Sequence, residues 1–374
     1  LLEIKEKYGD ERRSEINMAG GDFSMEDMIP NESVVLTISH AGYIKRTPLK
    51  DYKTQNRGGV GQKASTTRDE DFLEYIFSGT NHQYILFFTL KGKCFWMRVF
   101  EIPEGSKTSK GRAIQNLMNL DADDRINAFI LVQNLSDEDY INNHYVLMAT
   151  KKGQVKKTVL EQYSRPRVNG INAISIKEGD ELLSAVLTDG ENQVMLGLRS
   201  GKALRFEEKH IRPMGRGAAG VRGITLASDQ DEVVGMVCVK YPQEETVLVV
   251  SKKGYGKRTF IDDEDGEPVY RLTNRGGKGV KTISISEKTG ELVALKTVRD
   301  EDDLMIIKKS GVAIRMSVSD IRTMGRSTQG VRLISLKGND EIAAVAKIVQ
   351  DEDADDSEND DNTQIEDHPE NTNE

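Results

Sequence analysis

Basic side chains recur in this sequence at one offset from a repeated glycine, and cations set at regular intervals suit a polyanion better than they suit bond-making. The glycines are Gly42, Gly92, Gly153, Gly201, Gly254 and Gly311, and the fourth residue after each is Arg46, Trp96, Lys157, Arg205, Arg258 and Arg315. In the first, third and fifth units the preceding position is basic as well, at Lys45, Lys156 and Lys257. A lone lysine on a strand with one wet face needs no function. Recurrence at one offset does, because rotationally related units would place these cations at one height around a ring. That arrangement predicts an outward-facing positive belt that follows phosphates without reading bases. Base reading requires a helix or ribbon that delivers side chains into a groove, and no such helix is legible.

Two glycine-rich stretches add a second anion-binding chemistry. QNRGGVG spans residues 55–61, with Lys63 just beyond, and TNRGGKG spans 273–279. Consecutive glycines let backbone N–H groups approach an anion, and an arginine fork suits phosphate. This nominates Gln55, Arg57, Gly58, Gly59, Gly61 and Lys63 in the first stretch and Arg275 and Lys278 in the second. Gly61 and Gly279 also belong to a series that closes structural turns, so only the residues around them ask for a ligand.

Other chemistry does not assemble. Residues 215–220 spell G-x-G-x-x-G, but between strands, with no helix to receive a pyrophosphate. The five histidines are dispersed singly and Cys94 and Cys238 lie far apart, so no metal set is expected. Two isolated cysteines in apolar runs read as reduced thiols of a cytoplasmic protein. Trp96, in place of a cation, reads as packing.

The elements that must carry the belt are repeats. A β-rich run, a glycine turn and a second short strand occur six times, the first glycines being 50, 61, 48, 53 and 57 residues apart. A second glycine follows 19 residues later at Gly61, Gly111, Gly220 and Gly330, 17 later at Gly170 and 25 later at Gly279. IRPMGRGAAGVRGITL and IRTMGRSTQGVRLISL, starting at Ile211 and Ile321, align without a gap. After the second glycine a third strand is expected over 221–226, 280–285 and 331–336, and a fourth over 232–239, 291–298 and 341–348. Four short strands per unit, six times over, predict an all-β disc of six blades closed on itself.

Charge layout separates this body from its flanks. The chain has 52 Lys+Arg and 61 Asp+Glu, but residues 351–374 hold twelve acids and no Lys or Arg, and residues 1–30 hold eight acids against four bases. Residues 31–350 therefore carry 48 bases against 41 acids, a basic body inside an acidic protein. Residues 351–374, without apolar periodicity, are expected to be a disordered acidic tail, either solubilising or competing for the belt. Residues 1–30 read as the end of a helix followed by a linker. No apolar run approaches the roughly 20 residues needed to span a bilayer, and no signal peptide is legible.

The near-match of residues 55–61 to the gyrase box, the six repeats and the acidic tail together resemble the C-terminal domain of the DNA gyrase A subunit, with residues 1–16 similar to the end of that family's catalytic core. The family's box reads Q-R-R-G-G-R/K-G, so Asn56 and Val60 each replace a cation. The resemblance implies a six-bladed β-pinwheel over residues 31–350 whose blades exchange strands. It implies that this body wraps duplex DNA for an ATP-dependent type II topoisomerase that introduces negative supercoils. It further implies a non-catalytic chain without the active-site tyrosine and without cofactors of its own, ATP and Mg being used on other domains or subunits. Its partners would be duplex DNA, the gyrase A catalytic core and the gyrase B subunit in an A2B2 assembly, on the bacterial chromosome in the cytoplasm. The alternatives are the equivalent domain of topoisomerase IV, which favours decatenation, and a protein-interaction propeller, whose Trp-Asp signature a chain with one tryptophan lacks. Bending about 40 base pairs through a half turn costs roughly 11 kcal/mol at a persistence length near 150 base pairs, so several contacts would have to share the work.

Overall fold

The first strand of every hairpin is a nearly unbroken apolar run, because both faces of its sheet are covered. The structure, a computed structural model, describes residues 2–9, 25–39, 41–51, 73–106, 109–121, 123–310, 313–336, 338 and 340–348. Among these, six small sheets stand around a ring. In the second sheet, Ile85 and Phe87 point to the first blade and pack with Leu36, Ile38 and Ile44, while Leu86 and Phe88 point to the third and pack with Val146 and Met148. Five apolar cores of this kind lie between consecutive blades. The period-2 alternation of a strand thus serves two cores at once.

In five of the six sheets the hairpin lies in the middle. The third blade pairs Tyr145–Thr150 with Gln154–Val159, then Leu182–Thr188 on the inner side and Val221–Arg222 on the outer side. That outer strand belongs to the fourth unit in sequence. The same exchange recurs: Arg112–Ala113 completes the first blade, Ile171–Asn172 the second, Val280–Lys281 the fourth and Val331–Arg332 the fifth. The last blade, Asp303–Lys308, Ala313–Ser317 and Ile342–Ile348, has three strands among the described residues. Successive inner strands face one another around the hub, and Ile342–Ile348 of the last blade lies beside Leu73–Thr80 of the first. The ring is closed there.

The exchanged strand is shorter than its alternation predicts. Only two residues pair, after which the chain leaves the sheet and docks under the preceding hairpin turn, where Gly223 and Ile224 both donate N–H to the Gly153 carbonyl. Ile224 is buried there and Leu226 packs against the same core, so the alternation over 221–226 reports packing rather than pairing. The second glycine marks where the crossing chain lands. Gly220 has φ +85°, and a Cβ on it would stand 2.5 Å from the Val155 carbonyl oxygen of the neighbouring blade. At the N-terminus a helix, Leu2–Tyr8, buries no residue and stops at Gly9. No helix among the described residues is long and apolar enough to cross a membrane.

Candidate nucleic-acid interface

The cations singled out by their offset do not form an outward belt. Lys45, Lys156, Lys157, Arg205, Lys257 and Arg258 are buried, and Arg46 is largely so. Their charges are spent inside the protein, because a buried cation must be hydrogen-bonded or paired. Arg46 donates Nε to the Ile102 carbonyl at 2.9 Å and pairs with Glu104 at 3.1 Å. Arg205 forks onto Asp262 and also reaches the carbonyls of Ile261 and Tyr270. Arg258 donates Nε to the Ile321 carbonyl at 2.8 Å and pairs with Asp300, and Lys157 lies 3.6 Å from the Glu208 carboxylate. Each acceptor belongs to the following unit. These residues are clamps that hold the exchanged segment to its host blade. Arg315, whose side chain is half exposed, pairs with Asp303 of its own blade.

Lys45, Lys156 and Lys257 are a second set of clamps. Their ammonium groups donate to main-chain carbonyls of the next unit's crossing segment: Ser106 and Ser109, Arg216, and Gly325 and Arg326, respectively. Burial pushes all three below the usual lysine range, Lys156 and Lys257 to about 8, with Arg216 and Arg326 adding like-charge repulsion.

The TNRGGKG stretch is divided between the two roles. Arg275 donates Nε to the His210 carbonyl and Nη1 to the Arg222 carbonyl, Gly276 donates its N–H to Gly223 O, and Thr225 donates to the carbonyls of Gly276 and Gly277. This loop therefore staples the fifth unit onto the fourth unit's crossing segment. Lys278 remains exposed. Gln55, Arg57, Gly58, Gly59, Gly61 and Lys63 lie outside the described residues, as does the acidic tail.

The outward cations lie on the exchanged segments themselves, and of those exposed there only Lys278 was singled out by the sequence. These segments climb the outside of the disc, on the far side of each hairpin from the hub. Lys110 and Arg112, Arg165 and Arg167, Arg212 and Arg222, Arg271, Lys278 and Lys281, and Arg322 and Arg332 are all exposed. The signal was available as an absence of acids: residues 164–172, 211–222, 268–281 and 321–332 hold twelve Lys or Arg and no Asp or Glu. Between the second and third segments to cross, an open cleft of about 430 Å³ is lined by Lys93, Arg167, Asn169, Asn172 and Arg216, with no carboxylate in its wall. Lys93 also reaches Asp121 at 2.7 Å.

Acids concentrate at the two ends of the strands. Near the hairpin turns they pair with turn cations, as in Lys91 with Asp123, Lys151 with Glu181 and Lys309 with Glu341. The opposite end carries exposed Asp137, Glu138, Asp139, Glu191, Glu244, Asp300 and Glu301. The acid-rich end opposite the turns disfavours a polyanion, which the acid-free crossing segments of the rim attract. Among the described residues no cluster of His, Cys, Asp and Glu has the arrangement of a metal site.

Comparison with known proteins bears on the family and the fold. The family described as DNA gyrase C-terminal domain, beta-propeller matches residues 33–78, 83–133, 144–189, 199–240, 245–263, 269–299 and 302–348. The DNA gyrase A subunit of Staphylococcus aureus (strain NCTC 8325 / PS 47) is 44% identical over 362 residues, covering 96% of this chain and 39% of that protein. The DNA gyrase A subunit of Staphylococcus epidermidis (strain ATCC 12228 / FDA PCI 1200) is 44% identical over 354 residues, 94% of this chain and 38% of that protein. The chain therefore spans about two fifths of the length of these relatives. Among solved structures, the C-terminal domain of DNA topoisomerase IV superposes with a TM-score of 0.70 at 26% identity, covering 86% of this chain and 95% of that one. A DNA gyrase A C-terminal domain superposes at 0.66 and 24% identity, covering 85% and 100%, a likeness of fold. With six blades, five of them completed by a strand of the next unit, and a family match over most of its length, this chain belongs to the DNA gyrase C-terminal domain, β-propeller family.

Proposed function

We propose that this chain wraps duplex DNA around its rim as the C-terminal part of a gyrase A subunit, so that the assembled enzyme introduces negative supercoils. The observation that carries the reading is the set of exchanged segments with twelve cations and no acid, most of those cations exposed around a closed ring. Contacts of this kind hold phosphates and leave bases unread. The strand ends opposite the turns are rich in exposed carboxylates, which favours the rim over that face. In this reading the chain breaks no bond. The A-subunit core and the B subunit of an A2B2 assembly supply strand cleavage, ATP and Mg, and the complex works on the chromosome in the cytoplasm.

The fold alone does not separate gyrase from topoisomerase IV, since both C-terminal domains superpose well. The 44% identity to gyrase A subunits across nearly the whole chain favours gyrase. The test is the affinity for a random-sequence duplex of about 40 base pairs, read by fluorescence anisotropy across salt. Six or more phosphate contacts should cost at least about 10³-fold between 50 and 200 mM salt. A shallow salt dependence would leave an interaction propeller as the better reading.

A further inference from the structure

The units alternate in pairs. Three residues after the first glycine stand Lys45, Phe95, Lys156, Leu204, Lys257 and Ile314, a lysine in every odd unit and an apolar residue in every even one. The odd units add a tyrosine at the corner that follows the hairpin: Tyr163 and Tyr270 are fully buried, where the even units have Ile102, Ile211 and Ile321. Lys156 and Lys257 have no exposed surface. Each nevertheless carries its ammonium to the crossing segment of the next, even unit.

What these lysines hold is one rim arginine apiece. Lys156 donates to the carbonyl of Arg216, and Gln162 from the same blade accepts the Arg216 N–H at 3.2 Å, so the main chain of Arg216 is fixed on both sides. Lys156 also donates to the Ala173 carbonyl, which the Tyr163 hydroxyl approaches at 3.5 Å. The Arg216 side chain lines the acid-free cleft beside Lys93 and Arg167. In the fifth blade Lys257 donates to the carbonyls of Gly325 and of Arg326, the latter at 2.7 Å, and the Arg326 guanidinium stands 5.8 Å from the Tyr270 ring centre.

We propose that Lys156 and Lys257 are positioning residues for DNA wrapping: each buried ammonium fixes the main chain of Arg216 or Arg326 so that its guanidinium is held ready for a backbone phosphate. This rests on the rim reading above, and it makes the DNA path periodic in pairs of blades. Burial pushes both lysines down to about 8, so the fold holds each charged form at a desolvation cost that its hydrogen bonds to main-chain carbonyls offset.

The test is a thermodynamic cycle on the salt dependence of duplex binding by the 374-residue chain. Lys156→Met and Arg216→Gln are made singly and together, with folding checked by circular dichroism. Positioning predicts that K156M lowers the log–log salt slope by about 0.9, the value of one phosphate contact, that R216Q does the same, and that the double variant loses no more than either. A folded K156M with the wild-type slope overturns the proposal, as does a double variant that loses the two contributions independently. Should K156M fail to fold, K156Q and the separate Lys257→Met and Arg326→Gln cycle are read by the same criteria. A wild-type chain without a steep slope would instead remove the DNA reading itself, so the two failures are distinguishable.

Discussion

The Trp96 indole donates its N–H to the Tyr163 carbonyl at 2.8 Å, and it thereby makes the contact that Arg46 makes with Ile102 one blade earlier. Both acceptors lie at the corner where the next unit leaves its hairpin. What this position requires is an N–H donor long enough to cross to the next blade, and an indole serves as well as a guanidinium. Trp96→Phe keeps the packing and removes the donor. It should cost about 1 kcal/mol in denaturant unfolding and leave the salt slope of DNA binding unchanged.

Clamp and rim cations separate by opposite signatures. Arg205→Met strips the partner from Asp262 and takes the guanidinium donor from the Tyr270 carbonyl, so a loss of about 3 kcal/mol is expected. Neutralising Arg222, Lys281 and Arg332 together, on exposed rim strands, should change stability by about 0.5 kcal/mol or less each. The same triple substitution should lower the salt slope by about 0.9 for each residue in contact with phosphate. Equilibrium unfolding and anisotropy on the two variants check both halves.

Stability should rise with pH above neutrality. Lys156 and Lys257 titrate near 8 in the fold and near 10.5 when unfolded, so between those values the unfolded chain binds more protons. The gain is at most about 1.4 kcal/mol per pH unit for each lysine. Burial raises Tyr163 and Tyr270 and keeps them neutral in the fold, which works in the opposite direction near pH 10. Urea midpoints measured from pH 7.5 to 9.5 should therefore climb, and the climb should flatten in the K156M/K257M double variant.

Glycines that look alike in sequence should respond differently. Gly220→Ala forces a side chain into φ +85° and within 2.5 Å of the Val155 oxygen. A loss above about 1 kcal/mol is expected. Gly217→Ala, three residues away with nothing within 4 Å of its new Cβ, should be close to neutral. Thermal unfolding of the two variants compares them directly.

The glycine spacing made the number of blades and the position of every hairpin legible, because a crossing chain that lands on a neighbouring backbone tolerates no side chain there. Strand exchange was implied only by the family resemblance. Nothing local in Val221–Arg222 says which sheet it completes, since pairing with its own hairpin or the preceding one satisfies the same alternation. The recurrent cations misled for a related reason. Recurrence at one offset proves a shared environment, and for Arg205 or Arg258 that environment is the seam between blades, where a donor is needed at every repeat. The outward charge was written in what residues 164–172 and 211–222 omit, and an absence of acids is visible only once these segments are known to form the rim.

The most direct test of wrapping by this rim is ligation of nicked plasmid in the presence of increasing amounts of the chain, followed by measurement of linking number. Wrapping on the rim should give a shift of one sign that grows with bound protein and disappears when Arg212, Arg222, Lys281, Arg322 and Arg332 are neutralised together in a chain that still folds. A linking number that stays at the protein-free value while the plasmid is fully bound would contradict it.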